Sequence, residues 1–175
     1  DQTGRDDTGW WIQKKAKVRL PQDTFEYAVS LTGSLARYYL MQKRAVGLVC
    51  VGQNGVLMPA ERGERQIGKI METLAFVKPD GSLPIQSLVT YHARNILIGS
   101  SVFLVTACGD VSLLAAVEDL HRRDLRPVIL LMQGETFAGQ PADPRLLAAL
   151  AEYNVQPWRI PCGADLSKQL HEIAH

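Results

Sequence analysis

Three short, unbroken apolar runs constrain this chain most: residues 45–51 (AVGLVCV), 102–105 (VFLV) and 127–132 (PVILLM). Each is too short for a helix and rich in strand formers, so each reads as a strand buried on both faces. Residues 156–160 supply a further strand. The intervening segments carry helical periodicity instead. Residues 24–42 place Phe25, Ala28, Val29, Thr32, Leu35, Ala36, Tyr39 and Leu40 three to four apart, behind Asp23 as N-cap. Residues 64–77, 83–98, 111–123 and 164–174 read as helices too, and Asp143-Pro144 caps and starts another that runs through Glu152.

Strands alternating with helices imply a mainly parallel sheet covered on both faces. The Asn54-Gly55 pair signals a tight hairpin after the first strand, with residues 56–58 returning antiparallel before Pro59. The expected fold is therefore a three-layer, doubly wound α/β (Rossmann-like) domain, a mainly parallel sheet with one antiparallel edge strand. It spans residues 23–175, and residues 1–22 form an N-terminal segment or insertion, read as an edge strand or partly disordered.

A length of 175 residues suits one domain with a real core, and 46% hydrophobic with 21% charged residues is ordinary for a globular protein. The net charge of +1 gives no drive toward nucleic acid or an acidic membrane. The one basic cluster, Lys14, Lys15, Lys17 and Arg19, reads as a solvated edge. Cys50, Cys108 and Cys162 are odd in number and lack CxxC spacing, which favours a reducing compartment. No apolar run approaches the roughly 18 residues of a membrane span. The polar start, DQTGRDDTG without Met, reads as a piece of a longer protein.

In an open α/β sheet the ligand crevice lies beyond the carboxyl ends of the strands. Here that places Thr106-Ala107-Cys108-Gly109-Asp110, directly after the run at 102–105, at the site. Cys108 could serve as a nucleophile if a base stood nearby, but the sequence offers no histidine obviously placed for it; a structural thiol is the favoured reading. His92 and His121 both fall on helices. His171-Glu172-Ile173-Ala174-His175 matches the H-E-x-x-H zinc motif, yet it sits on the terminal helix with no third ligand downstream, and reads as an exposed last turn. No glycine pattern forms a phosphate cradle. Glu64 complements a helix dipole, while Arg62 and Arg65 read equally as exposed charge or as contacts for an acidic partner. Trp10 and Trp11 are either interface anchors or core packed on a sheet edge.

Three stretches, DTFEYAVSLTGSLARYYL from Asp23, RAVGLVCVG from Arg44 and RGERQIGKIMETLA from Arg62, together resemble the domain-of-unknown-function family 58. The likeness continues through Gly99–Thr106, Arg122–Val128 and Gly163–Leu166, covering roughly residues 23–170. It implies a six-stranded doubly wound sheet similar to the von Willebrand factor A domain. It also implies a cytoplasmic domain of a membrane-anchored parent, the anchor lying in segments outside this sequence. The implied partner is a protein, a MoxR-type AAA ATPase, which the domain would serve as a non-enzymatic adaptor in complex assembly. Self-association is left open.

Von Willebrand A domains often hold a divalent cation through an Asp-x-Ser-x-Ser turn, a loop threonine and an aspartate after the central strand. The resemblance puts this site in a degenerate form. Residues 1–22 contain no such turn, and Trp10-Trp11-Ile12-Gln13-Lys14-Lys15 is their only strand-like stretch. Ser82 replaces the threonine, and Ala107 stands where the carboxylate is expected. The first strand of the fold could then lie upstream of Asp1, leaving a central gap. The expected function is protein docking through Ser82, Thr106 and Asp110, with no metal, cofactor or catalytic residue. The alternative is a hydrolase or metal-dependent enzyme using the crevice around Cys108 and Asp110.

Overall fold

The computed structural model describes residues 20–51 and 55–174. Helix α1 (Thr24–Met41) opens behind Asp23, whose Oδ1 accepts a hydrogen bond from Phe25 N at 2.9 Å. Strands β1 (Val46–Val51) and β2 (Gly55–Glu61) pair antiparallel. Helices α2 (Glu64–Phe76) and α3 (Ile85–His92) follow, then a single 3-10 turn at Ala93–Asn95. Strand β3 (Ser101–Thr106), helix α4 (Ser112–Arg122) and strand β4 (Arg126–Met132) come next. After them come α5 (Pro144–Glu152), β5 (Trp158–Ile160) and α6 (Leu166–Ala174). The hairpin is present, but residues 52–54 of its turn lie outside the described residues, as do Trp10 to Lys15, the basic cluster and His175.

Strands β3, β4 and β5 form a parallel sheet in that order, in register from Ser101 opposite Arg126 to Thr106 opposite Leu131. Side chains alternate across it as a pleated sheet requires. Leu104, Ile129 and Leu131 pack beneath α3, α4 and α5 with Leu113, Val117, Leu120, Leu146 and Leu150. Phe103, Val105, Leu130, Met132 and Ile160 pack on the opposite face with Tyr27, Leu31 and Leu35 of α1, and α6 closes over them through Leu170 and Ile173. The three-layer α/β architecture follows directly. Asp143 starts α5 by accepting from Arg145 N at 2.8 Å, with Pro144 at the first helical position where its missing N–H costs nothing.

Three departures from the sequence expectation have physical reasons. First, the strands make two sheets, because among the described residues no strand pairs with the second edge of β1 or of β3. Second, β2 does not stop before Pro59 but runs through it to Glu61. Proline tolerates an edge strand, and the pairing slips between Val46 and Leu48, so that Leu48 faces Met58 while Val46 faces Glu61. A Cβ on Gly47 would stand 2.8 Å from Met58 O, so the irregularity needs glycine there. Gln66 of α2, only 1% exposed, donates from Nε2 to Val46 O at 2.8 Å and Pro59 O at 2.9 Å, satisfying the carbonyls that the irregular ladder leaves over. Third, the helix expected over 83–98 is only Ile85–His92. Pro84 holds an extended backbone at φ −61° and ψ 146°, and the residue before a proline is driven out of the helical region, which excludes Leu83.

Candidate functional site

The turn after β3 is built by its own polar side chains. Thr106 Oγ1 accepts from Cys108 N at 3.0 Å. Asp110 Oδ1 accepts from Ser112 N at 2.8 Å and also from the Ser112 hydroxyl, fixing the first turn of α4. Its Oδ2 accepts from Cys108 Sγ at 2.9 Å. Asp143 N donates to Gly109 O at 2.8 Å, tying this turn to the loop before α5. The approach is so close that a Cβ on Gly109 would lie 2.7 Å from Ala142 Cβ.

Between these segments lies an open crevice of about 500 Å³ at the carboxyl end of β3 and β4. Thr24, Cys108, Asp110, Phe137, Gln140 and Asp143 contribute to its wall. The far wall is the loop 134–142, which starts with a 3-10 turn, Gly134–Phe137, and turns back through Ala138 at φ 61°. Phe137 is fixed edge-on against Tyr27 with ring centroids 5.0 Å apart. Tyr27 Oη accepts from Gly163 N at 2.7 Å, so α1, the crevice loop and the chain after β5 are held together.

The electrostatics of the turn are self-consistent. Partial burial pushes the Cys108 thiol up from its ordinary value, and the hydrogen bond to the Asp110 carboxylate pushes the same way. The Asp110 carboxyl is drawn below its ordinary value, first by the Cys108 thiol and then by the Ser112 hydroxyl and amide. The shared proton therefore stays on sulfur. A nucleophilic thiol needs the opposite arrangement, an adjacent base or cation that stabilises thiolate. No histidine lines the crevice among the described residues. Its nearby cation, Arg145, is bound to Asp143, with Nη2 at 2.8 Å from Oδ2. That pairing holds the Asp143 carboxyl below its usual range.

The structure brings two of the three sequence-derived positions together. Thr106 and Asp110 both bond to Cys108, one through its amide and one through its thiol. Ser82 sits exposed in the loop between α2 and α3 and is not among the residues lining the crevice. Among the described residues no three His, Cys, Asp or Glu side chains are grouped as a metal site would need. His171 and Glu172 are exposed on α6, and His92 and His121 are half-buried on α3 and α4. Sequence reasoning missed the opposite wall, Phe137, Gln140 and Asp143. Asp143 was legible only as a helix cap; that its loop folds back over the end of β3 depends on the Gly109 contact, which leaves no local signal.

No protein-family profile matches the chain, and comparison with curated proteins returns no match. No helix of the described residues is long and apolar enough to cross a membrane. The fold and site define an α/β domain with an open crevice at the carboxyl end of its parallel sheet.

Proposed function

We propose that this is a non-enzymatic protein-interaction domain of von Willebrand A-like design, docking a partner protein through the crevice and its rim. The observation that carries this reading is the Thr106–Cys108–Asp110 arrangement. Its polar groups bond one another and the backbone to hold the turn, and the thiol and carboxylate support each other in their unreactive forms. What the crevice offers is mainly small side chains and glycine backbone, with Phe137 and Gln140 on one wall and the already hydrogen-bonded Asp110 and Asp143 at its edge. Such a surface recognises by shape and hydrogen bonding. The resemblance to the domain-of-unknown-function family 58 names the partner class, a MoxR-type AAA ATPase, and a role in assembling or maturing complexes within a membrane-anchored parent.

Titrating the domain against a MoxR-type ATPase from the same genome by interferometry tests the proposal. Saturable binding is expected, weakened by Gln140→Arg in the crevice wall and untouched by Gln86→Arg on the exposed side of α3. Failure of the ATPase to bind would refute the partner assignment. The hydrolase reading would replace it if ester turnover were measured that Cys108→Ser abolished.

A further inference from the structure

The end of the domain opposite the crevice carries a different surface. Strands β3 and β4 begin there, and two turns lie side by side: Gly99 N donates to Asp124 O at 2.9 Å, and Arg126 N to Ser100 O at 2.9 Å. The first turn carries Ile96, Leu97 and Ile98. Ile96 packs against the core that α3 and α4 form with the sheet, and Ser100 N donates to Leu97 O at 3.1 Å. Gly99, at φ 79°, closes the turn. Anchored on both sides, the turn leaves Leu97 and Ile98 80% and 79% exposed. Turn tips ordinarily carry Gly, Asn, Asp, Ser or Pro, so two adjacent aliphatic side chains standing in water call for a partner. Around them stand Arg94, in the 3-10 turn just before, and Arg122, Arg123 and Arg126, in and after the neighbouring turn. The acidic groups of these segments are Asp119 and Asp124. Asp119 is buried and pairs with both Arg122, at 3.1 Å, and Arg123, at 3.3 Å. Arg94 and Arg126 form no ion pair among the described residues, and Arg94 lies 5.2 Å over the exposed ring of Tyr91. The next acids, Glu118 and Glu152, lie on the α5 side, where Glu118 accepts from Tyr153 Oη at 2.8 Å. The local cationic excess is concealed in the whole chain's net charge of +1.

We infer that this tip docks on a lipid bilayer bearing anionic headgroups, with Leu97 and Ile98 entering the acyl boundary and the arginines meeting the phosphates. Shape supplies the first argument. Side chains this exposed stand out from the surface rather than line a groove, so the partner must yield around them. A fluid acyl layer does so, whereas a folded protein would need a pocket of matching form. Charge supplies the second. Anionic headgroups attract arginine within a Debye length of the surface, and a guanidinium grips a phosphate through two parallel hydrogen bonds. An apolar tip flanked by cations, with the amphipathic Tyr91 ring against Arg94, matches the layering of a bilayer surface from acyl chains to headgroups. Neither element suffices alone. Two aliphatic side chains bury too little, and exposed arginines by themselves are screened by salt. Seated this way, the domain turns its crevice, at the other end of β3 and β4, away from the lipid, so the inference stands whatever the crevice binds.

Co-sedimentation of the full chain with vesicles tests this, comparing phosphatidylcholine mixed with phosphatidylglycerol in equal parts against phosphatidylcholine alone. Saturable binding to the mixed vesicles is expected, weakened by added salt, with little binding to the neutral ones. Leu97→Ser with Ile98→Ser, and separately Arg94→Gln with Arg126→Gln, should each weaken it roughly tenfold or more. All four side chains are exposed, so both double variants should keep the Tm of the unaltered chain. Leu57→Ser, at an exposed leucine of β2, should leave binding unchanged. No binding to the mixed vesicles would overturn the inference, as would equal binding to both kinds. Binding that survives both double variants would overturn it too, since another part of the chain would then be responsible. If vesicle binding were absent and sedimentation velocity showed a dimer that Leu97→Ser with Ile98→Ser dissolved, a second copy would be the occupant instead.

Discussion

Asp110→Asn separates a structural turn from a reactive one. The carboxylate accepts from Ser112 N, the Ser112 hydroxyl and Cys108 Sγ. Asparagine keeps one acceptor oxygen but loses the charge and the second acceptor. Asparagine caps a helix about as well as aspartate, so what is lost is the exposed charge-assisted part of these contacts, worth about 0.5 kcal/mol after solvent screening, which for a domain of this size lowers Tm by about 1–2 °C. The pH dependence fixes the cause. Asp110 has its folded-state pKa depressed below the ordinary value. Its stabilisation is therefore complete above the ordinary carboxylate pKa and is lost as pH falls through the lower, folded value. The Tm gap between the two proteins should be full at pH 7 and close in acid. Removing the carboxylate also removes one of the causes that raise the Cys108 pKa, so iodoacetamide should alkylate Cys108 faster in Asp110→Asn. Calorimetry from neutral pH into acid, with alkylation rates at constant pH, reads both. Equal Tm values at pH 7, or slower alkylation in the variant, would refute the shared-proton account of this turn.

Other parts of the molecule give equally direct expectations. Gln66→Leu should cost about 2 kcal/mol in urea unfolding, because it removes the donor of two carbonyl hydrogen bonds; relief of the partnerless Gln66 Oε1 keeps the loss from being larger. A change under 0.5 kcal/mol, on the order of a neutral surface substitution, would contradict that role. Tyr27→Phe should lose about 1 kcal/mol and loosen the chain around Gly163, seen as faster exchange of that amide. Leu113→Ala, at a fully buried site beneath β3, should lose about 2–5 kcal/mol by chemical denaturation.

The apolar runs at 45–51, 102–105 and 127–132 made their strands legible, since an unbroken apolar stretch too short for a helix has few other uses. The caps Asp23 and Asp143 fixed two helix starts to the residue, for each side chain bonds an amide two positions on. The helix at 83–98 was overdrawn because apolar periodicity continued across Pro84, whose steric constraint overrode it. At the crevice, the local part of the turn, Thr106 to Asp110, was visible, and its opposite wall was not. Gln66 gave no signal at all: a glutamine in a charged helix start looks exposed until the irregular β1–β2 ladder presents two carbonyls to it.

What the sequence determined by itself was therefore local: which segments are strands or helices, where two helices begin, and that parallel pairing dominates. Hydrophobic period and side-chain-to-backbone bonds act over a few residues and survive in any context. Tertiary structure alone decided which edges meet. It divided the strands into two sheets under one shared helix, and it brought the loop 134–142 against Gly109. Those outcomes depend on contacts between distant segments, whose energies appear only when both partners are in place.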